Sequence, residues 1–328
     1  MASSPVEVVH LGSACRDVAP DDPRGWRLGG GVTYASLTTA RLGLRTAAIV
    51  GVDATASGAR ELEMLRDSGV EIHLVPLAEG PVFHNVDTPA GRVQTCVQTG
   101  VPLPLEEIPR AWRGAHGWSV VPVAGEVTDA WAAAVPPDAH LAIAWQGFLR
   151  ELVAGERVTR RPPRPSALLR RADLIGVSHH DVPPETRIDD LFALLHPGAD
   201  LVITRGAEGG LLVRVGTEAP TLVLRYLPTA TKQETDPTGA GDTFLAALQA
   251  SVLRPAITGT RHLPYGVDLR FAAAAGSLVV EGPGLDGVPD RDAVLARRKA
   301  EHVRRAVRPG KTGRVGALDR ATPTTGRS

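Results

Sequence analysis

The sequence is poor in the residues that mark several large functional classes. It has two cysteines, Cys15 and Cys96, far apart in the chain, which excludes a disulfide scaffold and supplies no metal-ligand spacing. Aromatic residues make up 4% of it, too few for a platform that stacks bases. An excess of one charge is also missing. The 36 Lys and Arg are balanced by 36 Asp and Glu, so the whole-chain balance does not call for nucleic acid or an anionic membrane. No apolar run approaches the roughly 20 residues that span a bilayer. The stretch MASSPVEVVHLGS at the amino end lacks the basic start and long apolar core of a secretion signal. A protein of the reducing cytoplasm is expected.

What the 328 residues do contain is an alternation of short apolar runs and helical segments. Residues 6–11 end in Gly12 and read as a buried strand. Residues 13–27, rich in Asp and Pro, read as a loop. Gly29, Gly30 and Gly31 turn into a helix over residues 36–42, stopped by Gly43. Residues 46–50 are the next strand and 59–67 the next helix. Residues 71–75, 82–87 and 92–98 alternate apolar and polar around Pro89-Ala90-Gly91, the pattern of a half-exposed β-hairpin. From Trp118, strands at 119–123, 141–145, 174–177 and 201–204 alternate with helical segments near 127–134, 166–171 and 188–195. Repeated βα units imply a parallel sheet covered by helices on both faces. The Arg- and Pro-rich residues 156–165 read as a solvated, mobile loop. Residues 210–215 and 221–227 read as a hairpin, and 269–280 and 291–307 as helices. From Pro309 the chain is polar and has too little apolar surface to order itself. A basic tail can touch nucleic acid, but a merely solvated one is the expectation.

The most chemically pointed stretch is residues 234–244, ETDPTGAGDTF, ahead of an alanine-rich run to Leu253. Pro237 and two glycines make a tight turn, and the run after it reads as a helix buried on most sides. Such a turn leaves the amides of Gly239, Ala240 and Gly241 unpaired at the positive end of a helix dipole, which is an anion site. Asp242 stands beside it on the first turn. An anion cradle next to a carboxylate suits proton removal from an alcohol that attacks a phosphoryl group. A lone Gly-Ala-Gly-Asp turn describes a helix start capped by Asp equally well.

Over its full length the stretch resembles the signature of the PfkB (ribokinase-like) carbohydrate kinases, in which Asp-x-x-Gly-Ala-Gly-Asp carries the base and the anion hole. The resemblance spans roughly residues 5–305. It implies an α/β protein with a three-layer α/β/α ribokinase-like fold, a central mostly parallel sheet and a small β-sheet lid. It also implies one kinase domain over residues 1–308, with the lid drawn from about 13–33 and 71–100. The implied reaction is ATP-dependent phosphoryl transfer, with Asp242 as general base and Gly239, Ala240 and Gly241 as anion hole. Asp17 matches the family's sugar-binding acid, and Gly29 and Gly30 match its glycine pair. Tyr34 falls where ribokinase-type members usually have Asn. Phe83, Asn85 and Arg92 are the lid residues expected at the acceptor. A lid excludes water that would compete as acceptor.

On the nucleotide side, Thr204-Arg205-Gly206-Ala207-Glu208-Gly209 resembles the family's Thr-x-Gly-x-x-Gly, so Thr204, Arg205, Gly206 and Gly209 are expected near the phosphates. Thr238 and Ala273 complete that set, Ala273 standing where the family often has Asn. Mg²⁺ is implied as the phosphate counter-ion, and a monovalent cation near the anion hole occurs in some relatives. The family's Asn-x-x-Glu reads Ser178-His179-His180-Asp181 here, leaving Asp181, through water, and Asp236 as candidate metal-shell acids.

Other readings compete at particular motifs. The triple glycine invites a dinucleotide fold, but there is no G-x-G-x-x-G and no acid on the next strand to hold a ribose. The pair His179-His180 suggests metal, yet adjacent histidines rarely face one point and no third ligand is spaced nearby. Tyr34, Phe83-His84-Asn85 and Trp145-Gln146-Gly147 look closer to the inositol-kinase-like branch. A small sugar or cyclitol, myo-inositol-like or a pentose or hexose, is therefore the expected acceptor. A nucleoside acceptor, and a non-catalytic relative that binds sugar or nucleotide, stay open. The expected partner is a small polyol, with no nucleic acid and no membrane, in a monomer or a homodimer through the lid.

Overall fold

Every residue of the first strand, β1 (Val8–Ser13), is buried, as a strand covered on both faces must be. Two short strands follow, β2 (Cys15–Val18) and β3 (Trp26–Gly29), then α1 (Gly31–Arg41), β4 (Thr46–Val52), α2 (Arg60–Asp67) and β5 (Glu71–Pro76). After them come β6 (Val82–Thr88), β7 (Gly91–Gln98), β8 (Gly117–Val120), β9 (His140–Ala144), and the two-residue strands β10 (Arg150–Glu151) and β11 (Thr159–Arg160). The rest are β12 (Leu174–Ser178), α3 (Ile188–Phe192), β13 (Asp200–Thr204), β14 (Gly210–Arg214), β15 (Leu222–Tyr226), α4 (Ala240–Leu253), α5 (Leu269–Val279), α6 (Arg291–Arg298) and β16 (Val303–Arg305). This computed structural model describes residues 5–88, 91–105, 108–260, 263, 266–298 and 303–305. The expected turn residues Pro89 and Ala90 and the expected basic tail 309–328 lie outside the described residues.

Among the described residues, ten strands form one sheet in the order β16-β15-β14-β13-β12-β9-β8-β1-β4-β5. The seven from β13 to β5 run parallel, and β14, β15 and β16 add an antiparallel edge. Side chains alternate between two cores, as the pleat requires. Val8, Ala48, Ala142 and Val202 face a core shared with α1, α2, α4, α5 and α6. Val9, Ile49, Ile143 and Leu201 face the other. The first layer is made of regular helices. Ala246, Ala247 and Ala250 of α4 and Ala272, Ala274 and Ala275 of α5 are buried in it, since small side chains let helices approach closely.

The opposite layer is thinner than the sequence predicts. The expected helices near 127–134 and 166–171 are single 3₁₀ turns, Asp129–Ala133 and Leu169–Arg171, and the third is the five-residue α3. Proline explains it: Pro136, Pro137, Pro165, Pro183 and Pro184 interrupt this part of the chain and stop a helix from propagating. Bulk replaces regularity there. Four of the five tryptophans, Trp112, Trp118, Trp131 and Trp145, fill this core.

A second sheet of four strands, in the order β3-β2-β6-β7, sits apart from the first. Residues 13–27 are therefore not a plain loop. They supply β2 and β3, braced by Arg24, which donates to Asp22 at 2.9 Å and Glu61 at 2.6 Å and lies 4.5 Å from the Trp26 ring. Residues 71–76 do not join this small sheet, because β5 pairs with β4 at the edge of the large one. Residues 156–158 differ from the loop expected there. Gly155 N donates to Cys96 O (2.8 Å), Cys96 N to Glu156 O (2.9 Å) and Val158 N to Gln94 O (2.9 Å), which docks this arm on β7. Leu152 and Val158 pack on the small-sheet core of Cys15, Phe83, Cys96 and Val123. The helix expected over 291–307 is described over Arg291–Arg298, and Val303–Arg305, expected to be helical, pairs with β15 instead. Among the described residues, no helix is long and apolar enough to cross a membrane.

Buried Glu126 fastens two loops at the carboxyl ends of strands of the large sheet. Its carboxylate accepts from Ser13 N (2.9 Å), Val123 N (3.2 Å) and Ala124 N (2.8 Å), joining the end of β1 to the loop after β8. Glu126→Ala strands three buried donors, so it is expected to cost about 3–5 kcal/mol. A lowered urea midpoint at unchanged slope checks this, and a midpoint equal to wild type contradicts it.

Candidate active site

The carboxyl ends of parallel strands converge where ligands collect in open α/β sheets. Here Gly31, at the start of α1, and Val121, just after β8, lie against Asp242 at the amino end of α4. The turn before α4 begins with Asp236, whose Oδ1 accepts from Thr238 N at 2.9 Å and Oδ2 from Gly284 N at 3.1 Å. Gly239 then caps the helix at φ +77°, and a Cβ there would run into the Tyr34 ring. Glycine is thus required twice, by the left-handed backbone and by the aromatic face against it. Among the described residues, the amides of Gly239, Gly241 and Asp242 have no hydrogen-bond partner, and that of Ala240 reaches only Pro237 O at 3.4 Å.

Asp242 follows on the first helical turn, half-buried. It forms no ion pair or hydrogen bond among the described residues. Burial raises its pKa from 3.8 to about 6; Arg150 pulls the other way and Asp181 adds to the rise. A Cβ on Gly31 would stand 2.9 Å from Asp242 Oδ1 and 3.0 Å from Val121 O. The third glycine of the triplet, not the expected pair, is therefore what gives Asp242 its room.

The expected acceptor residues gather on one side. Asn85 Nδ2 donates to Asp17 Oδ1 at 3.0 Å, and Gln94 Nε2 supports Asn85 Oδ1 at 2.7 Å. Burial raises the Asp17 pKa to about 6, helped by Asp236 and opposed by Arg92. A side chain on Gly29 would collide with the Asp17 carboxylate. Gly30, at φ +102°, passes so close to Ser13 O that a Cβ would lie 2.7 Å away. The Phe83 ring is buried beneath the small sheet, while Asn85 points toward Asp17. The Tyr34 ring is 2% exposed and props the Gly239 turn; its hydroxyl makes no hydrogen bond among the described residues. Arg92 reaches across from β7 to the turn itself, donating to Thr238 Oγ1 at 2.9 Å with Asp236 Oδ1 at 3.7 Å. It clasps the small sheet to the anion turn.

The expected donor residues lie at the ends of β12 and β13, which are paired at Ser178 and Thr204. Asp181 Oδ2 accepts from Ser178 N (3.0 Å) and Oδ1 from Gln146 Nε2 (3.1 Å). The two imidazoles do not converge on a metal. His179 and His180 lie 3.7 Å apart between ring centroids with their planes tilted by 39°, and His179 N donates to Thr204 O at 3.0 Å. Burial, His179, Arg160 and Arg205 together lower the His180 pKa. Arg205 N donates to Gly209 O (2.8 Å), closing the turn at Gly206 (φ +52°) and Gly209 (φ +80°), while its guanidinium meets Glu208 at 3.0 Å. Ala273 is sealed in the core with α4 and α5. Among the described residues, no group of three or more His, Cys, Asp or Glu is set to hold a metal by itself. Mg²⁺ takes one or two carboxylates alongside substrate phosphates, and Asp181 and Asp236 are the acids expected for that role.

Sequence reasoning missed three contributors: Gly31, Glu126 and Arg150. Gly31 was legible only as part of a triplet. Nothing local marks the other two, because both act across loops distant in sequence.

A mostly parallel sheet flanked by helices, a small separate sheet over its carboxyl edge and a glycine turn opening a helix beneath it define the ribokinase-like kinase fold. Residues 166–291, which include the Asp242 turn, match the model of the pfkB family carbohydrate kinases. A pyrophosphate-dependent kinase of the ribokinase family, complexed with a pyrophosphate analog and myo-inositol, superposes with a TM-score of 0.63 at 18% identity, over 88% of this chain and 99% of that one. The ribokinase of Arabidopsis thaliana, complexed with ribose and ATP, gives 0.64 at 21% identity, over 90% and 99%. The nucleoside kinase of Methanocaldococcus jannaschii gives 0.63 at 14% identity, over 90% and 99%. No curated protein sequence matches the chain.

Gly239→Ala places a methyl group into the Tyr34 ring at a backbone angle that alanine resists. A loss of about 2–4 kcal/mol is expected, read as a lower unfolding midpoint. Unchanged stability would mean that the turn is not held against the ring.

Proposed function

We propose that the protein transfers the terminal phosphoryl group of ATP to a hydroxyl of a small sugar or cyclitol. The observation that carries this reading is the Asp242 carboxylate, half-buried and unpaired beside amides without partners. A cap that only held a helix would bond its own backbone. Here the Asp242 carboxylate and the amides of Gly239 and Gly241 are left without partners among the described residues. In the proposed step Asp242 takes the acceptor proton, and the amides of Gly239, Ala240 and Gly241 meet the charge developing on the phosphoryl oxygens. Asp17 and Asn85 hold the acceptor, with Gly29 and Gly30 letting it approach the backbone. Thr204 to Gly209 and Thr238 flank the donor. Bound Mg²⁺ would neutralise the donor phosphates, with Asp181, through water, and Asp236 as the candidate carboxylates. Residues 5–305 act in this reading as one kinase domain with the small sheet as its lid.

The acceptor reading draws on the polar pair Asp17 and Asn85 and on neighbours bound to myo-inositol and to ribose. A nucleoside is the second acceptor class. Pyrophosphate is the second donor class, because Ala273 is sealed in the core and offers no surface to a nucleobase.

The test is turnover of ATP and of pyrophosphate with myo-inositol, ribose, fructose and adenosine. Asp242→Asn is expected to lose about a hundredfold to ten-thousandfold in kcat. Wild-type kcat should rise with pH through about 6, since the base works only when ionised. Because folding lifts this carboxyl from 3.8 to about 6, the folded state holds the proton more tightly. Stability therefore falls as pH rises across that interval, and the full cost stands above it. Asp242→Asn should unfold at a higher temperature than wild type at pH 8, separating lost catalysis from lost fold. Equal turnover by variant and wild type would refute the base.

A further inference from the structure

An amide pair stands beside the apolar core of the small sheet. That core is made of Cys15, Phe83, Cys96 and Val123, and Phe83 lies opposite Cys96 across β6 and β7. Asn85 and Gln94 form the next cross-strand pair on the same face. Both are half-buried, as is Asp17. A polar side chain withdrawn from water needs a partner, because an unsatisfied amide is costly. Here the partners run across the sheet in series. From β7, Gln94 Nε2 donates to Asn85 Oδ1 at 2.7 Å, and from β6, Asn85 Nδ2 donates to Asp17 Oδ1 on β2 at 3.0 Å.

The polarity of this series is forced from one end. An ionised carboxylate only accepts, so Asn85 must turn its NH₂ group to Asp17 and its oxygen to β7. The two ends of an amide are alike in size, and packing alone does not choose between them. The donor that Gln94 presents does choose. Turned over, Asn85 would set its oxygen against the carboxylate, with two acceptors face to face. The other Asp17 oxygen is met by the Cys15 thiol, with Sγ 3.8 Å from Oδ2.

Gln94 is itself held in place. Its carbonyl oxygen accepts from Val158 N at 2.9 Å. Two residues on, Cys96 N donates to Glu156 O at 2.9 Å and Cys96 O accepts from Gly155 N at 2.8 Å. The arm therefore clamps β7 along the edge away from β6.

We infer that Gln94 is a positioning residue for the polyol: its amide keeps Asn85 donating to Asp17, so that Asp17 meets the substrate as a hydrogen-bond acceptor in one fixed direction. This deepens the kinase reading of the same site and rests on it. The chemistry it selects is an O–H donor, a hydroxyl of a polyol, over a carboxylate or phosphate at the same place.

The test is a double-mutant cycle. Gln94→Glu keeps the shape of the side chain and exchanges its donor for an acceptor, and Gln94→Met keeps the bulk without the hydrogen bond. Each is made in wild type and in Asn85→Ala. KM is measured for whichever of myo-inositol, ribose, fructose and adenosine turns over fastest, and for the phosphoryl donor. Gln94→Glu is expected to raise the polyol KM about tenfold, and Gln94→Met less. Donor KM and kcat should stay within about twofold of wild type. In Asn85→Ala the same changes should move the polyol KM by less than about twofold, since a residue acting through Asn85 has nothing left to orient. The inference is overturned if Gln94→Glu leaves the polyol KM unchanged, or raises it by the same factor with and without Asn85. A purely structural role gives that second result together with a raised donor KM. The same cycle read as unfolding midpoints needs no substrate, and additive shifts there also overturn it. Failure of the kinase reading is seen separately, as absence of wild-type turnover across the acceptor panel.

Discussion

A carboxylate kept from water without a partner is the constraint on which the rest of the site depends. Ionising Asp242 costs free energy because burial removes solvent and no cation closes on it. Its surroundings are arranged so that this cost persists. Gly31 leaves room for the oxygen, Val121 O forms a wall, and Arg150 stays near without pairing. Beside it the unpaired amides of the α4 turn make the opposite demand, since they lack an anion as Asp242 lacks a cation. A phosphoryl group attacked by an alcohol satisfies both demands together, which is why the proposed function is a transfer and not simple binding.

Glycines set the distances. Gly239 admits the Tyr34 ring, Gly29 the Asp17 carboxylate and Gly31 that of Asp242, and in each case a methyl group would stand where another group already is. The turn, Asp17 and Asp242 thus each have a neighbour where a glycine's side chain would be. The small sheet closes over this cluster, clasped to the turn by Arg92 and thickened by the arm at residues 153–158.

Much of the fold was legible because its signals are local. Apolar runs such as 8–13 and 46–52 mark strands buried on both faces, and the alanine-rich stretches after Asp242 and Leu269 mark close-packed helices. The errors have specific causes. Residues 71–76 alternate because they form an edge strand of the large sheet, and alternation alone does not say which sheet a strand joins. Residues 15–18 and 26–29 were hidden by the Asp and Pro between them. The layer from 121 to 198 kept the spacing of helices but carries too many prolines to complete them. The arm over 153–158 pairs in sequence with nothing near it, so its docking on Cys96 left no local trace.

The sequence alone determined the turn, because Pro237 restricts the backbone and Gly239 permits the left-handed angle that follows, and it determined that Asp242 opens a helix. Only the tertiary structure decided that Asp242 stays unpaired, that Gly31 rather than its neighbours makes the space for it, and that Arg150 and Glu126 reach the same place. Backbone conformation is set within a few residues. Desolvation and charge depend on what the rest of the chain brings within a few ångströms, and that is known only once the chain has folded.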